Sequence, residues 1–147
     1  MDYIIRKLTT DDTALAHELI ALWQAEDGIT DIPVPKANYF AKLLSQDNFH
    51  AFVAIKDNEV VGGISANELT IFNEEATEIF LYEIGVSEPH RQQGIARKLI
   101  ESLLAVCKEK GITAMYVGTS VDNEAAKQLY ASTGGTMELI PWFTYNL

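Results

Sequence analysis

A strand that breaks into a glycine-bearing turn and then opens a helix constrains this chain more than any other feature. It is the run Glu83-Ile84-Gly85-Val86-Ser87-Glu88-Pro89-His90-Arg91-Gln92-Gln93-Gly94-Ile95-Ala96-Arg97. The strand, Glu78 to Val86, is rich in Ile, Phe, Leu, Tyr and Val, side chains that suit a half-buried pleated surface. The helix starts near Gly94 and carries apolar residues at Ile95, Leu99, Leu103 and Val106, one stripe at helical spacing. A helix start holds spare backbone N–H groups and the positive end of the macrodipole. Arg91 and Arg97 add charge beside it, and Gly94 lacks the side chain that would hold a phosphate oxygen off the backbone. The run therefore reads as a site for a pyrophosphate.

A dinucleotide fold is the first competitor for such a turn. Gly94-Ile95-Ala96 lacks the earlier glycine of the G-x-G-x-x-G fingerprint, and the chain does not alternate parallel strands with helices. With 147 residues, 48% of them apolar, the chain can build one core and is too short for two ordinary domains, so residues 1–147 read as a single domain. Met1 to Arg6 shows neither a long apolar core nor a small-residue cleavage site, and no stretch approaches the roughly 20 apolar residues of a membrane span. The expectation is a cytoplasmic protein with no membrane partner. Cys107 is the only cysteine, so no internal disulfide can form; beside Leu103, Leu104 and Val106 it reads as core packing. His17, His50 and His90 do not form a ligand spacing, and no metal is expected.

Formal charge is −10, and it is unevenly spread. Residues 1–90 hold 16 acidic and 5 basic side chains, whereas residues 91–147 hold 5 acidic and 6 basic. An acidic first half argues against nucleic acid, which needs a basic face, and favours a small cationic partner. Solubility of a small domain accounts for the same acids equally well.

Along the chain, Tyr3 to Lys7 reads as a first strand, and Thr9-Thr10-Asp11-Asp12 offers caps for a helix through Leu15, Leu19, Ile20, Leu22 and Trp23. Ala25 to Pro35, with Glu26, Asp27, Gly28, Asp31, Pro33 and Pro35, is a loop and the expected acceptor-recognition element. A short helix follows around Tyr39, Phe40, Leu43 and Leu44. His50 to Lys56 and Glu59 to Leu69 alternate as strands around the Asp57-Asn58 turn and form a hairpin. Ala114 to Gly118 reads as a short strand, Asn123 to Ser132 as a helix, and Met137 to Asn146 as one or two closing strands interrupted by Pro141. Within that last stretch Trp142-Phe143-Thr144-Tyr145 reads as core contacts, with a dimer edge or an acceptor wall as the other reading. The architecture expected is mixed α+β.

Arg91-x-x-Gly94-x-Ala96 at a strand-to-helix turn resembles the acyl-coenzyme A pyrophosphate loop of the GNAT superfamily of N-acetyltransferases. Downstream, Asn123-x-x-Ala126-x-x-Leu129-Tyr130-x-x-x-Gly134 is similar to that superfamily's second coenzyme-proximal helix. The two motifs span roughly residues 78 to 135. Glu78 to Ser87 followed by His90 to Ala96 resembles, more narrowly, the small aminoglycoside 3-N-acetyltransferases. Gly134-Gly135 stands where many relatives have glycine and then an aromatic. The resemblance implies the GNAT fold, a mostly antiparallel sheet whose central parallel strands splay apart to hold acetyl-coenzyme A. It also implies that Gln92, Gln93, Gly94, Ile95, Ala96 and Arg97, with Arg91 beside them, take the pyrophosphate, that main-chain groups of Ile84 and Val86 around Gly85 meet pantetheine, and that Asn123 and Tyr130 approach the coenzyme.

Acetyl transfer to an amine needs a held thioester, an unprotonated nitrogen and stabilised charge on carbonyl oxygen and leaving thiolate. Tyr130 matches the tyrosine that serves as general acid in many GNAT enzymes, and a phenol with a pKa near 10 can donate a proton at neutral pH; unaided, it would read as a packed ring. Glu83, alone in an apolar strand, is the expected base for the amine, directly or through water, if burial raises its pKa. Glu78 is the alternative base. A bulge would reset which face Glu83 occupies. Three readings remain open: an aminoglycoside acetyltransferase, the same chemistry on another small amine, polyamine or peptide, and a non-catalytic acyl-coenzyme A-binding module. Oligomeric state is not legible, and a homodimer is the default for a small enzyme of this type.

Overall fold

The computed structural model describes residues 2–147; Met1, the first residue of the N-terminal stretch, lies outside them. In chain order the elements are β1 (Ile4–Lys7), α1 (Thr13–Glu26), α2 (Ala37–Leu44), β2 (Phe49–Lys56), β3 (Glu59–Thr70), β4 (Thr77–Val86), α3 (Ile95–Lys110), β5 (Met115–Tyr116) and α4 (Glu124–Ser132). Among the described residues the strands form one sheet in the order β1-β2-β3-β4-β5. Its first three pairings are antiparallel and the last, β4 with β5, is parallel.

Local chemistry explains the hairpin. Asp57 and Asn58 sit at φ 51° and 64°, the double left-handed conformation of a type I′ turn, which matches strand twist and suits short polar side chains. Lys56 accordingly pairs with Glu59. Asp12 occupies the N-cap of α1, yet its carboxylate makes no cap bond. It turns back instead to accept from the Thr9 amide at 2.8 Å and Arg6 Nη2 at 2.6 Å.

Two apolar layers cover the sheet. On one face α3 buries Ile95, Leu99, Ile100, Leu103 and Cys107 against Ile64, Ala66, Ile79 and Leu81. On the other, α1 and α2 bring Leu19 and Phe40 against Ala51, Val53 and Val60. Cys107 is thus a core residue, and burial, with the Glu68 charge second, pushes its thiol pKa up. α1 comes close because β3 has no side chain at Gly63, where a Cβ would stand 2.5 Å from Leu19. At the far end of the sheet Glu68 accepts from His50 Nε2 at 2.5 Å and from Lys110, which ties the last turn of α3 to β2 and β3.

Two sequence expectations are corrected. The strand read over Ala114 to Gly118 shrinks to Met115 and Tyr116, which pair with Ile79 and Phe80 alone; beyond them β4 and β5 separate, giving the splay of the mixed α+β, mostly antiparallel sheet. The closing strands read over Met137 to Asn146 are not formed. High strand propensity is not enough without an adjacent edge, and here the segment's one aromatic stack is Trp142 on Phe80. Among the described residues no helix is long and apolar enough to cross a membrane.

Candidate active site

Where β4 and β5 part, a cleft of about 1150 Å³ opens between β4, the turn that heads α3, and α4. It is lined by Glu83, Ile84, Gly85 and Val86 of the strand, by Arg91, Gln92, Gly94, Ile95, Ala96 and Arg97 of the turn and helix, and by Asn123 and Tyr130. Gln93 is not on that wall; its side chain bonds the Pro89 carbonyl at 3.4 Å. A depression of about 710 Å³ at the opposite end of β4, around Thr70, Asn73, Thr77 and Lys110, has no helix start to receive an anion.

The turn presents unspent donors. Gln92 at φ 60° and Gly94 at φ 81° both adopt the left-handed conformation. Among the described residues, none of the amides of residues 92 to 97 donates a hydrogen bond. A Cβ at Gly94 would meet nothing nearer than Tyr3 Oη at 4.0 Å, so that space stands open to a ligand. These orphan N–H groups at the head of a 16-residue helix make an anion cradle. The flanking arginines are partly engaged. Arg91 donates through Nε to the Val86 carbonyl at 3.0 Å and through Nη2 to Glu26 at 3.3 Å; Arg97 reaches Glu101 at 3.1 Å and the Ser132 carbonyl at 3.3 Å. Their charge remains beside the cradle, while their hydrogen bonds brace it.

A bulge decides where Glu83 points. Ser65 pairs with Glu83 and Ala66 with Leu81, leaving Tyr82 as the extra residue. Leu81 and Ile84 therefore share the α3 face, and Glu83 faces α1. Solvent reaches its carboxylate through the cleft mouth, but the walls strip away enough water to raise its pKa, and the Asp27 charge raises it further. Gly85 serves close approach: a Cβ there would lie 2.8 Å from Trp23 Nε1, and that indole donates to the Gly85 carbonyl at 3.2 Å. The bulge sits at Tyr82, three residues before the glycine.

On the other wall, Asn123 is the N-cap of α4, its Oδ1 accepting from the Ala126 amide at 3.0 Å. About two helical turns later Tyr130 is half-buried, and burial raises its phenol pKa. Among the described residues its hydroxyl has no hydrogen-bond partner, so the proton is free for a ligand. Glu78 lies outside the cleft lining and accepts from Tyr116 Oη at 2.6 Å. His90 lines the cleft edge with Nδ1 2.8 Å from Ser87 Oγ. Among the described residues no group of His, Cys, Asp and Glu is gathered as metal ligands would be. Trp23 was legible only as a core residue of its helix; the glycine opposite it, at position 85, was the signal for its place in the site.

Comparison with known proteins places this geometry. Residues 14–134 match the model of the Acetyltransferase (GNAT) family. The crystal structure of an aminoglycoside acetyltransferase from an uncultured soil metagenomic sample, in complex with trehalose, superposes with TM-score 0.92 at 29% identity, over 99% of this chain and 97% of that one. A second aminoglycoside acetyltransferase from such a sample gives TM-score 0.90 at 30% identity over the whole of both chains. The streptothricin acetyltransferase of Escherichia coli is 30% identical over 111 residues, 76% of this chain and 61% of that protein. The chain spans about a third to a half of the length of the first curated relatives it matches.

Proposed function

We propose, from the premise that the chain belongs to the GNAT acetyltransferase family, that it transfers the acetyl group of acetyl-coenzyme A to a primary amine of a small polycation, an aminoglycoside foremost and its 3-amine the expected position. The observation that carries the reading is one cleft holding both an unspent amide cradle at the head of α3 and two titratable groups, Glu83 and Tyr130, on separate walls. The residues fit the coenzyme. Diphosphate needs several N–H donors and close backbone approach, which residues 92 to 97 and the open space at Gly94 supply. Bound there, acetyl-coenzyme A supplies the activated acetyl thioester. Of the main-chain groups expected to meet pantetheine, the Val86 carbonyl already accepts from Arg91, leaving the remaining groups of Ile84 and Val86 for that role.

Acids mark the acceptor side. Glu26, Asp27 and Glu83 all line the cleft. Glu26 is paired with Arg91, whereas Asp27 has no ion pair among the described residues. An ammonium group drawn between Asp27 and Glu83 relieves their mutual repulsion, and Glu83 then takes its proton so that nitrogen can attack. Tyr130 donates toward the departing sulfur.

The test is release of free thiol from acetyl-coenzyme A against aminoglycosides, polyamines and peptide amines. Turnover with a 2-deoxystreptamine antibiotic, acetylated at the 3-amine by mass spectrometry and NMR, is expected. Turnover with other amines alone moves the acceptor class, and tight coenzyme binding without turnover removes the enzymatic reading. Gly94→Val is expected to weaken coenzyme A at least tenfold by calorimetry with the helical circular dichroism retained. A β-branched residue held at φ 81° costs about 1–2 kcal/mol, and its Cβ stands where the phosphate must approach. Unchanged affinity would move the diphosphate away from this turn.

A further inference from the structure

The bulge in β4 does more than turn Glu83 away from α3. Regular strand alternation sends neighbouring side chains to opposite faces of a sheet. Here Leu81 and Ile84 both pack in the α3 layer, and the two residues between them, Tyr82 and Glu83, are both exposed and both line the cleft. With Tyr82 the unpaired residue of the bulge, two consecutive side chains are delivered to one site. Tyr82 belongs to neither apolar layer, and it is 64% exposed. A singly exposed ring needs no explanation by itself; what sets this one apart is its place and its support. Phe80, two residues earlier, meets it edge to face with ring centres 5.9 Å apart, which braces one side of the ring. On the other side of Glu83 along the strand, Trp23 closes over Gly85, its N–H committed to the Gly85 carbonyl at 3.2 Å. The carboxylate thus stands between two aromatic residues of the cleft wall.

Carboxylates recognise charge alone. Asp27 and Glu83 attract an ammonium group equally whether it is carried on a flexible chain or on a ring. An aromatic face discriminates, because it takes the C–H face of a saturated ring together with a cation beside that ring. A flexible chain gains less there, since it must first be ordered to lie flat. We propose that Tyr82 selects the acceptor: its ring is the platform on which the saturated, amine-bearing ring of the acceptor lies while Glu83 holds the ammonium group. Resting on the acetyl-transfer reading above, this narrows the acceptor class to amines borne on a ring. Tyr82 takes no part in the proton transfers, which belong to Glu83 and Tyr130. Its contribution is to ground-state binding, so it acts on KM and leaves kcat to those two groups.

The test compares kanamycin, a 2-deoxystreptamine antibiotic, with spermidine, an acyclic polyamine, by calorimetry and by thiol release from acetyl-coenzyme A. Tyr82→Ala is expected to weaken kanamycin binding about fivefold or more, the scale of one aromatic contact, and spermidine binding less than about twofold. Tyr82→Phe keeps the ring and is expected to restore kanamycin to within about twofold of the parent. In thiol release the loss with kanamycin appears in KM, with kcat retained. Should the alanine variant fail to fold, Tyr82→Leu keeps apolar bulk at the bulge and gives the same comparison. A ring that served only to hold the bulge would let Glu83 shift, and kcat would fall with both amines alike; that result overturns the proposal. So does kanamycin affinity unmoved by Tyr82→Ala, equal loss of both amines, or a parent that binds no kanamycin. The two readouts separate this inference from acetyl transfer itself. Kanamycin bound through Tyr82 without thiol release removes the transferase reading and leaves the recognition element standing, whereas thiol release indifferent to Tyr82→Ala does the reverse.

Discussion

Tyr130→Phe is expected to lower turnover about a hundredfold or more while leaving coenzyme A affinity within about twofold. The substitution deletes one oxygen and keeps the ring, so the packing of Tyr130 beside Leu129 at the edge of the α3 core survives. What is lost, on the proposed mechanism, is the proton donor. Burial holds the phenol above its ordinary pKa, so it is fully protonated at neutral pH, and its hydroxyl has no competing partner among the described residues. A donor aimed at charge that develops only as the thiolate leaves acts on the rate and not on ground-state binding. Positioned acid catalysis contributes about 10²–10⁴-fold, which sets the scale. The measurement is steady-state thiol release together with calorimetry of coenzyme A. Turnover unchanged would take Tyr130 out of the mechanism, and turnover and affinity falling together would make it a binding group.

How far the sequence alone could reach is visible in the site itself. Arg91, Gly94 and Ala96 sit within one turn, and their meaning is local: a strand's apolar run, a glycine and a helical stripe are all read from adjacent residues. The Asp57-Asn58 hairpin was legible for the same reason, because two residues carry the whole turn chemistry. Glu83 was a different matter. Which face it occupies depends on an extra residue at Tyr82, and that residue is extra only relative to Ser65 and Ala66 on another strand. Trp23 and Gly85 lie 62 positions apart, so their contact exists only after α1 has packed on the sheet. The carboxyl-terminal segment shows the converse failure. Ile140, Trp142, Phe143 and Tyr145 have strand propensity, but propensity describes a surface that suits a neighbour, and this segment forms no strand pairing.

Glu83→Gln is expected to reduce turnover at neutral pH about a hundredfold and to abolish the acid limb of the pH profile. In the parent, activity is expected to rise with pH as the carboxylate ionises. Because burial and then the Asp27 charge raise its pKa, that rise falls above the ordinary carboxylate range, nearer the working pH where a base is most effective. Asp27→Asn supplies the control for cause: it removes the second of the two influences and keeps the base, so the acid limb moves to lower pH with the maximal rate largely retained. Stability should move in the opposite sense. A carboxyl whose folded pKa is raised favours the fold when protonated, and that contribution is lost as pH climbs through the raised value. Glu83→Gln therefore gains thermal stability relative to the parent as pH rises above the ordinary carboxylate value, with no gain at the acid end. A strand residue with a purely structural role would show no acid limb to lose and no shift with Asp27→Asn, and full activity of the glutamine variant at neutral pH would leave amine deprotonation to water or to another group.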